Sequence, residues 1–265
     1  MKRNSTKKLI CTIAIILAFL SAFSPSQVYA DAKKAYNWYC KNNDKHEIPT
    51  LDPEFSFINK YGGYYADFNV GNRDKVIYLT FDAGYENGNI DNILDTLKAH
   101  SAHGAFFILE NLIVRNPELV QRMKDEGHLV CNHTAKHPDM TKITDIDLFA
   151  NQLSRLEKAY CELTGEEMAK IYRPPKGRFS EENLKFANEL GYKTIFWSFA
   201  YADWDNNKQM SCDKALEKLL AHTHNGEILL LHPTSQTNAE ILDRFLTELE
   251  KEGYRFGCIN ELWQK

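Results

Sequence analysis

From residue 76 to residue 259, short apolar runs alternate with longer amphipathic ones seven times over. The first run, Val76 to Asp82, is built from β-branched, aromatic and apolar residues with no Gly or Pro, which predicts a strand. Asn89 to His100 follows with Ile90, Ile93, Leu94 and Leu97 at helical spacing. The same alternation continues through strand-like runs at 104–110, 128–133, 170–175, 193–200, 227–233 and 254–259. The intervening helical segments carry their own punctuation. Asn116-Pro117 opens one that Gly127 closes, Asp145 opens another that stops at Gly165, and Ser180 opens a third that ends at Gly191. Seven β/α alternations with short connections predict a parallel sheet wrapped by helices. Their unbroken run favours a distorted (β/α)7 barrel of parallel strands with a short N-terminal extension; a doubly wound open sheet has the same periodicity. In either architecture ligands gather at the carboxyl ends of the strands.

The N-terminus departs from this pattern. Lys2, Arg3, Lys7 and Lys8 precede an apolar run from Leu9 to Leu20, and Val28-Tyr29-Ala30 offers small residues for cleavage before Asp31. The run is short for a membrane span. Residues 1–30 are therefore expected to be a signal peptide, and the protein to be exported, either secreted or held at the outer face of the membrane or cell wall. Residues 31–75 form a lead-in expected to cover one end of the core, with Tyr64 to Val70 pairing as a strand with the next across the turn at 71–74. Residues 76–265 are expected to form the main unit, the one that carries the alternating pattern.

Charge and cysteine content narrow the chemistry. Loss of four basic residues with the signal takes the formal charge from −4 to −8, which argues against nucleic acid as a partner. Five cysteines remain, Cys40, Cys131, Cys161, Cys212 and Cys258, an odd number with no close pair, so a disulfide scaffold is not what holds the fold. A monomer is assumed.

Strand alternation brings scattered polar residues to one end of the barrel. Asp82 follows Tyr78 and Thr80, His133 follows Leu129 and Cys131, Arg173 follows Ile171, and His232 follows Ile228 and Leu230, each ending an inward row. His133 and His137, four residues apart, would share a side if one helical turn joined them, a spacing suited to a divalent metal; Pro138 restricts that turn to a single one. Tyr85, Tyr201, Trp197 and Trp204 are candidates to stack on a ring-shaped substrate, Tyr85 and Trp204 foremost. Lys176 and Arg178 bracket Gly177 just past the fourth strand as candidate anion contacts.

The stretches TFDAG at 80–84, NHTAKH at 132–137, RPPKG at 173–177, Asp203-Trp204 and LLLH at 229–232 occur in the order seen in polysaccharide deacetylases. With YENG, MKDEGH and RPPKGRFS, the chain resembles the peptidoglycan N-acetylmuramic acid deacetylase (delta-lactam-biosynthetic) branch from about Tyr61 to Trp263. The resemblance implies a distorted barrel, a divalent metal ion (often zinc), and hydrolysis of acetamide groups on peptidoglycan glycan strands. It assigns Asp82 as general base, Arg173 as its ion-pair partner, His133 and His137 as metal ligands, His232 as the acid for the leaving amine, and Asp203 as its orienter. Ala83 departs from the wider family, which has a second Asp there as third ligand. A methyl group cannot bind metal, so the ion is expected to be loosely held. Two other functions remain open at this level: a glycan-binding protein that has lost catalysis, and an amidase for another N-acetylated sugar polymer.

Overall fold

The structure, a computed structural model, describes residues 33–71 and 74–264, so the expected signal peptide lies outside the described residues. In chain order the strands are β1 (Tyr36–Asn37), β2 (Gly63–Tyr64), β3 (Lys75–Ala83), β4 (Ala105–Ile108), β5 (Leu129–Asn132), β6 (Ile171–Tyr172), β7 (Arg178–Phe179), β8 (Lys193–Ile195), β9 (Phe199–Ala200), β10 (Glu227–Leu231) and β11 (Tyr254–Phe256). The helices are α1 (Ile90–Ala99), α2 (Glu110–Arg115), α3 (Pro117–Asp125), α4 (Ile146–Thr164), α5 (Glu181–Glu189), α6 (Cys212–His222) and α7 (Gln236–Lys251). No helix among the described residues is long and apolar enough to cross a membrane.

All seven expected β/α strands form, and they pair in parallel in the order β8-β6-β5-β4-β3-β10-β9, with β11 alongside the start of β3. The segment at 193–200, expected as one strand, is two. Its first half, β8, pairs with β6, and its second, β9, pairs with β10 at the far end of the path. One short segment therefore serves both ends of the sheet and curls it into a distorted barrel. The ladder breaks between them because Phe196 N–H turns to Tyr64 O (2.8 Å) while Ser198 N–H turns to Ile228 O (3.0 Å).

Alternation along the strands sorts the core into two layers. Ile77, Leu79, Phe81 and Ala83 face outward and pack with helix residues such as Ile93, Leu94, Phe245 and Leu246. Val76, Tyr78, Phe107, Cys131, Ile171, Ile195 and Ile228 face inward and fill the barrel. Each large apolar side chain removed from water in this way contributes about 1.5–3 kcal/mol. Helix ends are capped where the sequence offers a cap. Asp145 accepts from Leu148 N–H at 2.9 Å and Ser180 from Asn183 N–H at 3.1 Å. Cys131 is a buried thiol of the inner layer, and all five described cysteines are free.

The lead-in does more than cover an end. The expected hairpin between 64–70 and β3 does not form: β2 is Gly63–Tyr64 and runs parallel to β8. Beyond it the chain is drawn under β10, with Ala66 bridging Glu227, Asp67 N–H on Gly226 O (2.8 Å), and the Asp67 carboxylate accepting from the Tyr78 hydroxyl (2.7 Å). Earlier, β1 pairs antiparallel with β7, Trp38 stacks on Phe196 at 4.4 Å, and the Trp38 ring N–H donates to Trp197 O at 2.9 Å. The lead-in thus clamps the loop that follows β6. That loop needs a clamp because Lys176 and Gly177 both take left-handed backbone, φ 58° and 62°. A Cβ at Gly177 would lie 2.7 Å from the Trp197 ring.

At the opposite end of the barrel Glu227 is fully buried, with one oxygen accepting from His224 N–H (3.3 Å) and the other without a hydrogen-bond partner among the described residues. Burial pushes its carboxyl up to about 8. The folded state therefore binds this proton more tightly than the unfolded chain, whose glutamates ionise near pH 4.5. Stability falls as pH rises from that value to about 8, by about 1.4 kcal/mol per pH unit, and the contribution is flat outside the window. Glu227→Gln should abolish this component. Denaturant titrations of both proteins between pH 5 and pH 8 check it: the variant should gain stability relative to wild type as pH rises, and parallel curves would refute the assignment.

Candidate active site

Four of the five polar residues expected at the barrel mouth sit at or immediately past a strand end. Asp82 lies at the end of β3, His133 follows β5, Arg173 follows β6 and His232 follows β10; Asp203 lies on the loop after β9. They form two groups whose charges act on each other, as Asp82 and His232 each feel the other's field.

Arg173 organises the first group. It is fully buried, and its guanidinium donates to Asp82 Oδ1 (2.8 Å), Thr80 Oγ1 (2.9 Å), Ile195 O (3.1 Å) and Phe196 O (3.2 Å). One face lies over the Phe107 ring, 4.1 Å from its centroid. Its carbonyl accepts from His133 Nδ1 at 2.8 Å, so Nδ1 carries the proton and Nε2 keeps its lone pair, 3.5 Å from Asp82 Oδ2. One residue thus orients both the carboxylate, through its side chain, and the imidazole, through its backbone. Burial alone would raise the Asp82 carboxyl, yet the positive field of His133, Arg173 and His232 brings it below its ordinary range. Burial drives His133 towards the neutral form, so Arg173 is the cation that persists beside Asp82.

His137 reaches His133 by a different route from the expected helical turn. Residues 133–137 form a bend in which Thr134 and His137 have φ of 73° and 56°, and Pro138 keeps His137 out of helical backbone. Asn132 Oδ1 accepts from Thr134 N–H (2.9 Å) and Thr134 Oγ1 from His137 N–H (2.9 Å), which holds the bend. The two rings lie 4.9 Å apart, and burial pushes His137 down to about 4. Two neutral imidazoles, one with its tautomer fixed by a backbone carbonyl, suit a divalent metal. No third ligand joins them: among the described residues no group of three His, Cys, Asp or Glu could hold an ion. Ala83 is buried in the outer layer, Cys131 lies in the inner core, and Glu86 caps α1 by accepting from Gly88 and Ile90 N–H. The donor set fits an ion held by two side chains and completed by solvent.

The second group is a dyad. Asp203, almost fully buried, accepts from His232 Nδ1 at 2.8 Å and from His232 backbone N–H at 2.7 Å. Burial works against a charge on His232, but the Asp203 hydrogen bond and the negative charges of Asp203 and Asp82 together outweigh it and raise the imidazole above its ordinary value. The ring is partly open to solvent, with Nε2 available. Asp82, kept ionised by the positive groups around it, and His232, raised by Asp203, give the mouth one group able to take a proton and another able to give one.

The remaining candidates separate. Lys176 is exposed, forms no ion pair among the described residues, and is close enough to His137 to act on its titration. Arg178 is paired with Asp139 at 3.1 Å and Asn37 at 3.2 Å. Tyr85 and Trp204 are exposed, whereas Tyr201 is buried and Trp197 packs under the lead-in. Sequence reasoning missed Thr80 and Asn238. Thr80 is a polar side chain in an inward row that should be apolar, which was a usable signal. Asn238 opens a helical run, and nothing in the sequence marks its side chain.

The polysaccharide deacetylase family model matches residues 69–195. The chain is 40% identical to the peptidoglycan-N-acetylmuramic acid deacetylase PdaA of Bacillus subtilis, over 96% of this chain and 94% of that protein. The solved structure of Bacillus subtilis PdaA, a family 4 carbohydrate esterase, superposes with a TM-score of 0.82 over 87% of this chain and 97% of that one, at 39% identity. A family 4 pseudoenzyme from Bacillus anthracis superposes less closely, with a TM-score of 0.67, 29% identity, and coverage of 76% and 68%.

Proposed function

This chain belongs to the polysaccharide deacetylase family, hydrolases acting on carbon–nitrogen bonds, and from that premise we propose that it removes acetyl groups from peptidoglycan glycan strands at N-acetylmuramic acid. The observation that carries the proposal is the pairing of an ionised carboxylate, Asp82 on Arg173, with a raised imidazole, His232 on Asp203, at one barrel mouth. A glycan-binding module has no use for a base and an acid set to opposite protonation states.

Asp82 accepts a proton from the water that attacks the acetamide carbon, while Arg173 keeps the carboxylate ionised until then. His232, protonated and held by Asp203, gives its proton to the departing amine. The backbone N–H of Lys176, in a turn fixed by the lead-in, serves the developing oxyanion, while the Gly177 N–H is taken by Pro174 O (3.0 Å). His133 and His137 would hold a divalent metal, which when bound polarises the acetyl carbonyl and activates water. With only two side-chain ligands, the ion is expected to be lost readily to chelator. The protein would act outside the cytoplasm, where its substrate is, and lactam formation could follow on the free amine.

Lys176 points to the muramic sugar. That sugar differs from glucosamine by a lactyl group, whose carboxylate is free when stem peptides are absent, and Lys176, near His137, has no ion-pair partner among the described residues. Acetate release should be fastest on glycan stripped of stem peptides, slower on intact glycan, and slowest on chitin oligomers. Lys176→Met should reduce the advantage of stripped glycan about 10-fold while sparing chitin. Equal rates on all three substrates would remove the muramic assignment.

A further inference from the structure

We propose that Asn238 is a positioning residue for the acid, fixing Asp203 and His232 as a rigid unit; the inference rests on the role proposed for His232. The Asn238 side chain is buried on the first turn of α7, with its amide nitrogen turned to the dyad and its oxygen to Tyr201. Nδ2 donates to Asp203 Oδ2 at 2.6 Å and to His232 O at 3.1 Å, and Oδ1 accepts from the Tyr201 hydroxyl. The amide can take only this orientation. Rotated by half a turn, its oxygen would face a carboxylate and a carbonyl, two acceptors, with no proton between them.

Helix capping does not account for this side chain. The cap of α7 is Ser235 Oγ, which accepts from the backbone N–H of Asn238 at 3.1 Å, and that bond is indifferent to what residue 238 carries. The side chain is spent on the dyad. It occupies Asp203 Oδ2 together with His232 backbone N–H, leaving Oδ1 for the imidazole Nδ1. It also holds the His232 carbonyl, so the ring and its own backbone are fixed from both ends. Tyr201, just after β9, closes the arrangement by fixing the amide. Three separate segments, the β9 loop, the β10 exit and the first turn of α7, thus converge on one amide. Loss of its donors would leave Asp203 Oδ2 short of a partner in a buried setting and free the carboxylate to rotate off Nδ1. The imidazole would then lose the bond that keeps its proton on Nδ1.

Asn238→Leu, close in size but without donors, should lower turnover on acetylated glycan about 10- to 100-fold with KM changed less than about 2-fold, a range usual for groups that orient a reacting side chain. The same variant should hydrolyse an aryl acetate, whose leaving group needs no proton, at nearly the wild-type rate. Nitrogen NMR of the His232 ring should report the Nδ1–H tautomer in the wild type and a mixture in the variant. Tyr201→Phe should shift both readouts in the same direction by a smaller factor. If His232→Ala is inactive while Asn238→Leu keeps full turnover and a single tautomer, the inference fails and the acid assignment stands. If His232→Ala keeps full turnover, the acid assignment itself fails. Equal losses on glycan and aryl acetate, with an unchanged tautomer, would mean a purely structural role and would also overturn the inference.

Discussion

Asp82→Asn should reduce acetate release by about three orders of magnitude while the barrel stays folded. A positioned base contributes typically 10²- to 10⁴-fold, and an amide of the same shape cannot take a proton from water. The substitution is chosen to separate chemistry from architecture. Asn Oδ1 can still accept from Arg173 Nη1, whose present bond to Asp82 is 2.8 Å. What is lost is the negative charge opposite a fully buried guanidinium, so some loss of stability accompanies the loss of rate. Rates should therefore be compared well below the melting temperature of the variant, with circular dichroism confirming the fold. Near-normal release by a folded variant would show that Asp82 is not the base.

Arg173→Met should be the most damaging substitution for the structure. The guanidinium satisfies Asp82, Thr80 and the carbonyls of Ile195 and Phe196, all within the barrel. Methionine approximates the volume but leaves a nearly buried carboxylate without its cation and two carbonyls without donors. Removing one partner of a buried pair costs about 3–5 kcal/mol. For a chain of this size that corresponds to a fall in Tm of roughly 10 °C. Activity should vanish with it, because Asp82 would favour its protonated form. Arg173→Lys should recover part of the stability and little of the activity, since a point charge cannot reach Asp82, Thr80 and both carbonyls together. A Met variant that melts within about 2 °C of wild type would show that the hub is dispensable.

The contrast between these residues and the ones missed shows what the sequence makes legible. The strands β3, β4, β5 and β10 are apolar on both faces because helices cover one and the barrel interior the other, so their runs stand out. Asp82, His133, Arg173 and His232 stand out in turn as the polar residues that end those runs. Legibility fails where a tertiary partner decides. The segment at 193–200 has the composition of one strand, and only the need to close the sheet splits it into β8 and β9. Tyr64 to Val70 has strand-like residues, yet its partners are β8 and Gly226 rather than β3. The two histidines were legible as a pair from their spacing, but not the bend that joins them, which depends on Asn132 and Thr134. Arg178 looked equivalent to Lys176 in sequence; Asp139, 39 residues earlier, makes the difference.

The central claim is that Asp82 and His232 divide proton acceptance and donation in the hydrolysis of a sugar acetamide. Its most direct test is acetate released from purified peptidoglycan strands by the wild type, Asp82→Asn and His232→Ala, each confirmed as folded. The account predicts steady release by the wild type and losses of at least about 100-fold in both variants. A folded wild type that releases no acetate, or a variant that matches it, would contradict the account.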